Sequence, residues 1–293
     1  IVTYNGMKWY DKSFSSLLMS SVPVNVLVID NASTDGTIDY IRKHFPNIHL
    51  IESKENLGFS KANNIGIKYA IEKNADYIFL LNQDAWVETD TIEKLLQTFL
   101  HNKMVGIASP IHLNGTYAGL DNGFRHYIGY YCISDAYMNN LQPYYEVPFV
   151  NAAAWLISRE CIEKVGGFDT SLFKHYGEDD NYSQRVYYHG MKIVINTQCT
   201  ICHDREQRKI SPSDSSFNVD DPYYYEKCSK ANILIDYDFN QQIINKKNSL
   251  IKAFLTLRFK TIKRLKRELN IEKQIAYSRE NNKKGGLVWL DHM

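Results

Sequence analysis

The first hundred residues constrain the fold more than any other part of this chain. Four short apolar runs, Ile1 to Tyr4, Val26 to Ile29, His49 to Glu52 and Tyr77 to Leu81, alternate with longer segments whose apolar residues recur at helical spacing. Those segments predict helices over Phe14 to Ser20, Thr37 to His44, Lys61 to Glu72 and Thr91 to His101. A strand that feeds a helix and then a second strand crosses over, so that the two strands run parallel. The expectation is an α/β fold with a Rossmann-like, mostly parallel central sheet flanked by helices. Ligands of such sheets bind beyond the carboxyl ends of the strands. Each run here ends in polar or small residues, which puts the polar clusters on the binding edge.

Periodicity fades between Val105 and Tyr145, where Gly, Tyr and Asn are frequent and no element is assigned. From Val150 to Arg185 an apolar stretch precedes a short helix near Glu160 to Lys164, a Gly166-Gly167-Phe168-Asp169 turn and a charged helix starting near Gly177. A strand over Lys192 to Asn196 follows. Farther on, Ile243 to Leu269 reads as a basic helix, with Ile251, Leu255, Ile262, Leu265 and Leu269 near helical spacing. At 293 residues and 44% hydrophobic, the chain can bury the core of one large α/β domain with an appendage.

Bulk charge argues against a polyanion partner: 34 Lys and Arg nearly balance 33 Asp and Glu, and nucleic acid is not favoured. Five scattered cysteines, an odd number, read as reduced thiols in a cytosolic setting with no bridge. No apolar run is long enough to span a bilayer and no signal-peptide pattern is visible. Because the chain opens inside an apparent strand, a preceding targeting segment is left open.

Four polar clusters carry the chemistry. In Val28-Ile29-Asp30-Asn31-Ala32-Ser33-Thr34-Asp35-Gly36-Thr37 a buried strand delivers Asp30, a carboxylate able to accept paired bonds from a ribose or base. Asn31, Ser33 and Asp35 equally suit turn and cap duties. Glu55 to Gly66 holds Gly58, which permits close backbone approach, ahead of a helix start that offers N–H groups to a phosphate. Leu80-Leu81-Asn82-Gln83-Asp84 ends an apolar strand in an acid, which suits a hard divalent cation or a helix cap. Glu178-Asp179-Asp180 places three adjacent acids at a helix start, where they answer the helix dipole or serve a cation or a proton transfer. His203, after a later strand, completes an oxygen and nitrogen ligand set with Asp84. Trp155 offers an aromatic face for a sugar ring, with a core position the equal alternative.

Taken in order, VTYN, VIDNASTDGT, ENLGFSKANNIG, LLNQDA, GGFD, GEDDNYSQR and CHD resemble glycosyltransferase family 2, in its rhamnosyltransferase-like branch, over roughly residues 1 to 205. The resemblance implies a GT-A domain over 1–235, with a nucleotide-binding half at about 1–104 and an acceptor-binding half at about 105–235. Residues 236–293 form a basic, helical C-terminal extension in this reading. Nucleotide and donor binding then fall to Thr3, Tyr4, Asn5, Asp30, Asn31, Asn56, Gly58, Phe59, Asn63, Asn82 and Gln83, with Gly58 and Asn63 beside the pyrophosphate. Asp84 corresponds to the metal-binding acid of an Asp-x-Asp motif, His203 to a second contact with Mn²⁺ or Mg²⁺, and Asp179 to the general base. Glu178, Asp180 and Trp155 fall on the acceptor side. Two positions depart from the pattern: Asn82 replaces the first acid of Asp-x-Asp, and Asn181 replaces an acid two residues after the base.

The resemblance implies an inverting, metal-dependent transfer from a dTDP- or UDP-sugar to a saccharide or lipid-linked saccharide in surface polysaccharide synthesis. Such an enzyme is expected in the cytoplasm or at the inner face of the plasma membrane. Lys252, Arg258, Lys260, Lys263, Arg264, Lys266 and Arg267, beside Phe254, Leu255, Phe259 and Ile262, suit contact with an anionic membrane, or packing on the domain or a twin subunit. Rival readings are a nucleotidyltransferase, which releases pyrophosphate instead of a nucleoside diphosphate, and a non-catalytic nucleotide-sugar binding protein. Cys199-Thr200-Ile201-Cys202-His203 matches a haem-attachment pattern, but it ends a strand of a large α/β chain with no signal peptide visible before it.

Overall fold

The computed structural model describes residues 1–173, 176–205 and 222–290. Three strands, β1 (Val2–Thr3), β2 (Leu27–Asp30) and β3 (His49–Glu52), pair in parallel, in the order in which they occur. The next strand, β4 (Tyr77–Leu81), continues the sheet beside β1 through the parallel bridge between Val2 and Asn82. Beyond it the order runs β4-β8-β6-β9, with β6 at Val105–Asn114, β8 at Ala154–Ser158 and β9 at Lys192–His203. Among these main strands β8 alone reverses direction, running against both β4 and β6, while β6 and β9 are parallel. Two short strands, β5 (Ala85–Val87) and β7 (Tyr144–Glu146), add antiparallel pairs along β9.

The crossover helices of the first half are α1 (Tyr10–Leu18), α2 (Thr37–His44), α3 (Gly58–Glu72) and α4 (Thr91–His101). These fall where helical spacing predicts them, shifted by a few residues at α1 and α3. The second half carries α5 (Gly129–Tyr137), α6 (Arg159–Val165), α7 (Glu178–Tyr188) and α8 (Tyr224–Ala231). The unassigned stretch after Val105 opens with the long strand β6, whose first six residues are all buried. A strand covered on both faces loses the alternation by which a half-exposed strand is read. Between 206 and 221 the expected acceptor half lies outside the described residues.

The basic segment read as a single helix over Ile243 to Leu269 is two helices, α9 (Phe239–Leu255) and α10 (Phe259–Lys284). The break at Thr256-Leu257-Arg258 contains neither Gly nor Pro, and Leu257 adopts a left-handed φ of 51°. The extension does not trail free. Ile271 and Ile275 of α10 pack with Leu172, Phe173 and Ala231, and Leu290 enters the main core beside Trp155, Phe168 and Tyr182.

A buried turn after α6 joins these parts. Gly166 adopts φ 85°, and a Cβ there would stand 2.4 Å from the carbonyl oxygen of Val288. Tyr182 donates to the Gly166 carbonyl at 3.0 Å, and the fully buried Arg185 donates to the carbonyls of Gly167 and Val165. From the other side the amide of Asn64 on α3 accepts the Phe168 N–H at 2.7 Å and donates to the Phe168 carbonyl at 2.9 Å and the Trp289 carbonyl at 3.4 Å. Substituting Asn64→Ala strands the buried N–H and carbonyl of Phe168, each costing about 1–3 kcal/mol. The expected loss in urea denaturation is about 3 kcal/mol; a loss under about 1 kcal/mol means that water replaces the amide.

Candidate active site

Strand ends and the loops that follow them assemble the first part of the site. Thr3 at the end of β1 donates its hydroxyl to Asp30 at the end of β2 at 3.0 Å, and the second Asp30 oxygen accepts the Ser33 N–H at 2.9 Å. Asp30 is fully buried, so its carboxylate shapes the loop at whose end Thr37 opens α2. Asn31 ties that loop to the next one, accepting from the Leu57 N–H at 3.2 Å and donating to the Gly58 carbonyl at 3.3 Å. Asn56 in turn accepts the Gly58 N–H at 2.9 Å. On the opposite flank Tyr4 and Gln83 exchange two bonds, and Asn5 accepts the Thr34 N–H at 2.8 Å. Asn5 and Ala32 hold left-handed backbone, φ 49° and 64°, a strained conformation that collects at ligand-binding loops.

Thr3, Tyr4, Asn5, Asp30, Asn31, Asn56, Gly58 and Gln83 are thus brought together by this network. Two other expected donor residues face inward. Phe59 sets its ring edge-on to Phe168 with centroids 5.5 Å apart, and the buried Asn63 donates to the Phe59 carbonyl at 3.0 Å.

The second part lies where β5 pairs with the end of β9. Ala85 is in register with His203, which sets the side chains of Asp84 and His203 against each other, both fully buried. His203 Nε2 stands 3.5 Å from Asp84 Oδ1 and 3.4 Å from the Asn82 amide nitrogen. Behind it, His203 Nδ1 is 3.4 Å from Asp121 Oδ2. Asp121 is buried, and its other oxygen accepts the N–H groups of Gly123 and Phe124 at 2.9 and 2.8 Å. Burial alone would raise the Asp121 pKa, but the hydrogen bond with His203 and the nearby positive groups win and hold it well below the usual carboxylate range. His112 fills the space beyond, stacked on Phe124 and held neutral by burial.

Sequence reasoning missed Asp121, because an Asp followed by Asn and Gly in an irregular stretch looks like any turn. Only its place behind His203 distinguishes it. Among the described residues no three His, Cys, Asp or Glu side chains converge on a ready-made metal centre. The Asp84 and His203 pair fits a cation shared with a diphosphate, since Mg²⁺-type sites take one or two protein ligands and complete the shell with phosphate oxygens and water. Adjacent ligands of such an octahedral ion lie about 3 Å apart, near the separation seen here.

The third part is the start of α7. Gly177 turns the chain with φ 87°, and Glu178, Asp179 and Asp180 occupy the first turn, where the helix dipole favours negative charge. Asp179 Oδ1 accepts the Asp180 N–H at 2.9 Å. Burial raises the Asp179 pKa above the ordinary range, against backbone hydrogen bonds from Asp180 and Ala152 that lower it. Glu178 is raised further, by burial first and then by the charge of Asp179. Its Oε2 and both amide atoms of Asn181 are buried with no hydrogen-bond partner among the described residues. Tyr127 lies within electrostatic reach of Arg205, Asp179 and Asp121, which links the second and third parts through one side chain.

Trp155 does not form a stacking platform. It is completely buried, stacked on Phe168 at 6.1 Å, and its indole donates to the Val150 carbonyl at 3.2 Å. Its neighbours on β8 pair on both sides, which leaves it facing the core. The haem pattern dissolves in the same way: Cys199 packs with Leu95 and Phe99, whereas Cys202 packs with Trp9 and Trp86 in a separate cluster.

Residues 1–166 match the model of the family described as "Glycosyl transferase family 2". The chain belongs to glycosyltransferase family 2. Within the family it is 29% identical over 214 residues to the dTDP-rhamnosyl transferase RfbF of Shigella flexneri, covering 69% of this chain and 67% of that one. An N-acetylglucosaminyl-diphospho-decaprenol L-rhamnosyltransferase of Mycobacterium tuberculosis is 24% identical over 229 residues, covering 70% of this chain and 74% of that one. These two relatives put the family 2 chain in the rhamnosyltransferase-like branch. Its fold is that of the GT-A enzymes: a crystal structure of GalNAc-T7 with UDP, GalNAc and Mn²⁺ superposes with a TM-score of 0.55 at 17% identity, over 69% of this chain. The chain spans 42% of that structure's length.

Glu178 yields a test of the electrostatics. Its folded-state pKa is raised, so the folded protein holds a proton that the unfolded chain releases, and stability falls as pH rises above the ordinary carboxylate range. Glu178→Gln removes that titration. The variant should be the more stable protein in mildly alkaline buffer, by on the order of 1–3 kcal/mol, with the two converging at acid pH. Parallel melting curves at all pH values would show that Glu178 is solvated.

Proposed function

We propose that this family 2 enzyme transfers a sugar, with inversion, from a dTDP- or UDP-sugar to a hydroxyl of a saccharide or lipid-linked saccharide. The donor named for the Shigella relative makes dTDP-rhamnose the first candidate, and the decaprenol compound named for the mycobacterial relative makes a lipid-linked acceptor the matching partner. Bacterial surface polysaccharide synthesis is the setting, at the inner face of the plasma membrane. Among the described residues no helix is long and apolar enough to cross a membrane. Contact with the membrane, or with a second copy, falls to the C-terminal extension.

One observation carries the reading: a buried Asp84 and His203 pair lies at the strand ends and a desolvated Asp179 opens α7, with Tyr127 in electrostatic reach of both Asp179 and the Asp121 behind His203. Cleavage of the sugar–diphosphate bond puts negative charge on the leaving oxygen and positive character on the anomeric carbon. A bound Mn²⁺ or Mg²⁺ supplies countercharge for that leaving diphosphate. Asp84 and His203 would hold the ion, with the neutral Asn82 amide beside them where a second acid would add charge. The Thr3, Asp30, Asn31 and Gly58 network receives the nucleoside, and the N–H groups opening α3 face its phosphates. Asp179, whose raised pKa leaves it a stronger base than an ordinary carboxylate, takes the proton of the attacking hydroxyl. Attack from the face opposite the leaving group inverts the anomeric centre in one step, so no covalent intermediate and no nucleophilic side chain is needed.

Substituting Asp179→Asn keeps the shape and removes the base. Transfer should fall by roughly 10²–10⁴, while a dTDP-sugar and Mn²⁺ still raise the melting temperature. Undiminished turnover would remove Asp179 from that role, and release of pyrophosphate in place of a nucleoside diphosphate would make the protein a nucleotidyltransferase. Asp121 would act as a positioning residue: held at Nδ1, His203 would offer Nε2 as the ligand atom. Asp121→Ala should weaken Mn²⁺ binding, read from the free-ion EPR signal at fixed nucleoside diphosphate, by about 10–100-fold. Equal affinity in the two proteins would mean that His203 is oriented without it.

A further inference from the structure

The tip of the α9–α10 hairpin presents apolar side chains that no described part of the protein covers. Ile251, Phe254, Leu255, Leu257 and Phe259 are all exposed, the last three by 80%, 71% and 73%. Single exposed apolar residues are ordinary, but here five of nine consecutive positions converge on one turn. The hairpin's own packing accounts for their direction. Ala253, Ile262 and Leu265, with Leu250 beside them, fill the seam between the two helices, and the remaining faces carry the tip residues outward.

Anchoring of the hairpin occurs elsewhere, where Ile271 and Ile275 meet Leu172, Phe173 and Ala231. Phe259 precedes Ile271 by twelve residues, about 18 Å of helix. Leu257 sits in left-handed backbone, which Gly or Asn adopts at lower cost. A leucine there adds strain to exposed apolar area, and gains burial only against something outside the chain.

Charge identifies that partner. From Lys246 to Arg267 the sequence carries nine Lys and Arg and no Asp or Glu, within a protein of net charge +1. Lys246 and Arg264 reach Glu268, and Lys266 lies over the Phe254 ring. Lys247, Lys252, Arg258, Lys260, Lys263 and Arg267 are exposed and enter no ion pair with a carboxylate among the described residues. A second copy bringing the same tip would set this positive charge against itself, which opposes a symmetric dimer here.

We propose that the hairpin tip docks on an anionic lipid surface, with Leu255, Leu257 and Phe259 entering the acyl boundary and Lys252, Arg258, Lys260 and Lys263 meeting headgroup phosphates. The proposal deepens the reading of a lipid-linked acceptor and takes its biological sense from it: docking confines the site to the surface where such an acceptor lies.

The test uses the full chain and sucrose-loaded vesicles. The protein should sediment with vesicles containing phosphatidylglycerol and stay in solution with phosphatidylcholine alone. Two triple variants, L255S/L257S/F259S and K252E/K260E/K263E, should each bind the anionic vesicles at least roughly tenfold more weakly. All six side chains are exposed, so melting temperatures and transfer to a soluble acceptor should match the parent. Equal binding by parent and variants, or no binding by the parent, overturns the proposal. So does a concentration-dependent dimer that either variant abolishes, which assigns the patch to a second copy. Vesicle binding that persists in a protein with no transferase activity overturns the catalytic reading and leaves the docking site standing.

Discussion

A turn buried in the core keeps its backbone polar groups only if side chains come to meet them, and in this protein that requirement organises the active site. The carbonyls of Val165, Gly166 and Gly167 and both polar groups of Phe168 lie too deep for water. Tyr182 and Arg185 reach them from α7, and Asn64 reaches them from α3. The helix that carries Asp179 and the helix that opens beside the nucleotide loops are therefore fixed to the same few atoms. Arg185 is costly to bury, and it is aimed at carbonyls instead of a carboxylate. Burial raises the Asp179 pKa against the backbone hydrogen bonds that lower it.

The two ends of the site treat carboxylates in opposite ways. Asp121 is buried but surrounded by donors, two N–H groups and His203, and its charge is stabilised. Glu178 and Asp179 are buried beside each other, and the charge of each is disfavoured. The charge of one carboxylate is thereby favoured behind a histidine while that of another is disfavoured at a helix start. The same residue type does both because burial sets the cost of the charge and local donors set the return.

Much of this was legible in the sequence, and the gaps have physical causes. Crossover helices and half-exposed strands leave periodic traces, so the first half of the fold could be read from spacing. β6 and β8 are covered on both faces, and a uniformly apolar run does not announce its length or direction. The break between α9 and α10 has no Gly or Pro to mark it, which is why two helices read as one. Asp84, Asp179 and His203 stood out through motifs that keep acids at strand and helix ends. Asp121 did not, since its role comes from a partner far along the chain. Trp155 shows the converse: nothing local separates an aromatic that stacks on a ligand from one that stacks on Phe168.

The return of the C-terminal segment to the buried turn has a temporal side. Val288 closes over Gly166 about 120 residues after that glycine is made, and ribosomes add about 5–20 residues per second. For something on the order of ten seconds the nascent chain holds its nucleotide-binding sheet and the helix bearing Asp179 without the strap that seals them. During that interval the turn is open to water and Asn64 has only one of its two partners in the chain. Sealing of this turn thus waits on residues made long after it, and a chain broken off before Val288 keeps the sheet but leaves the core open at Gly166.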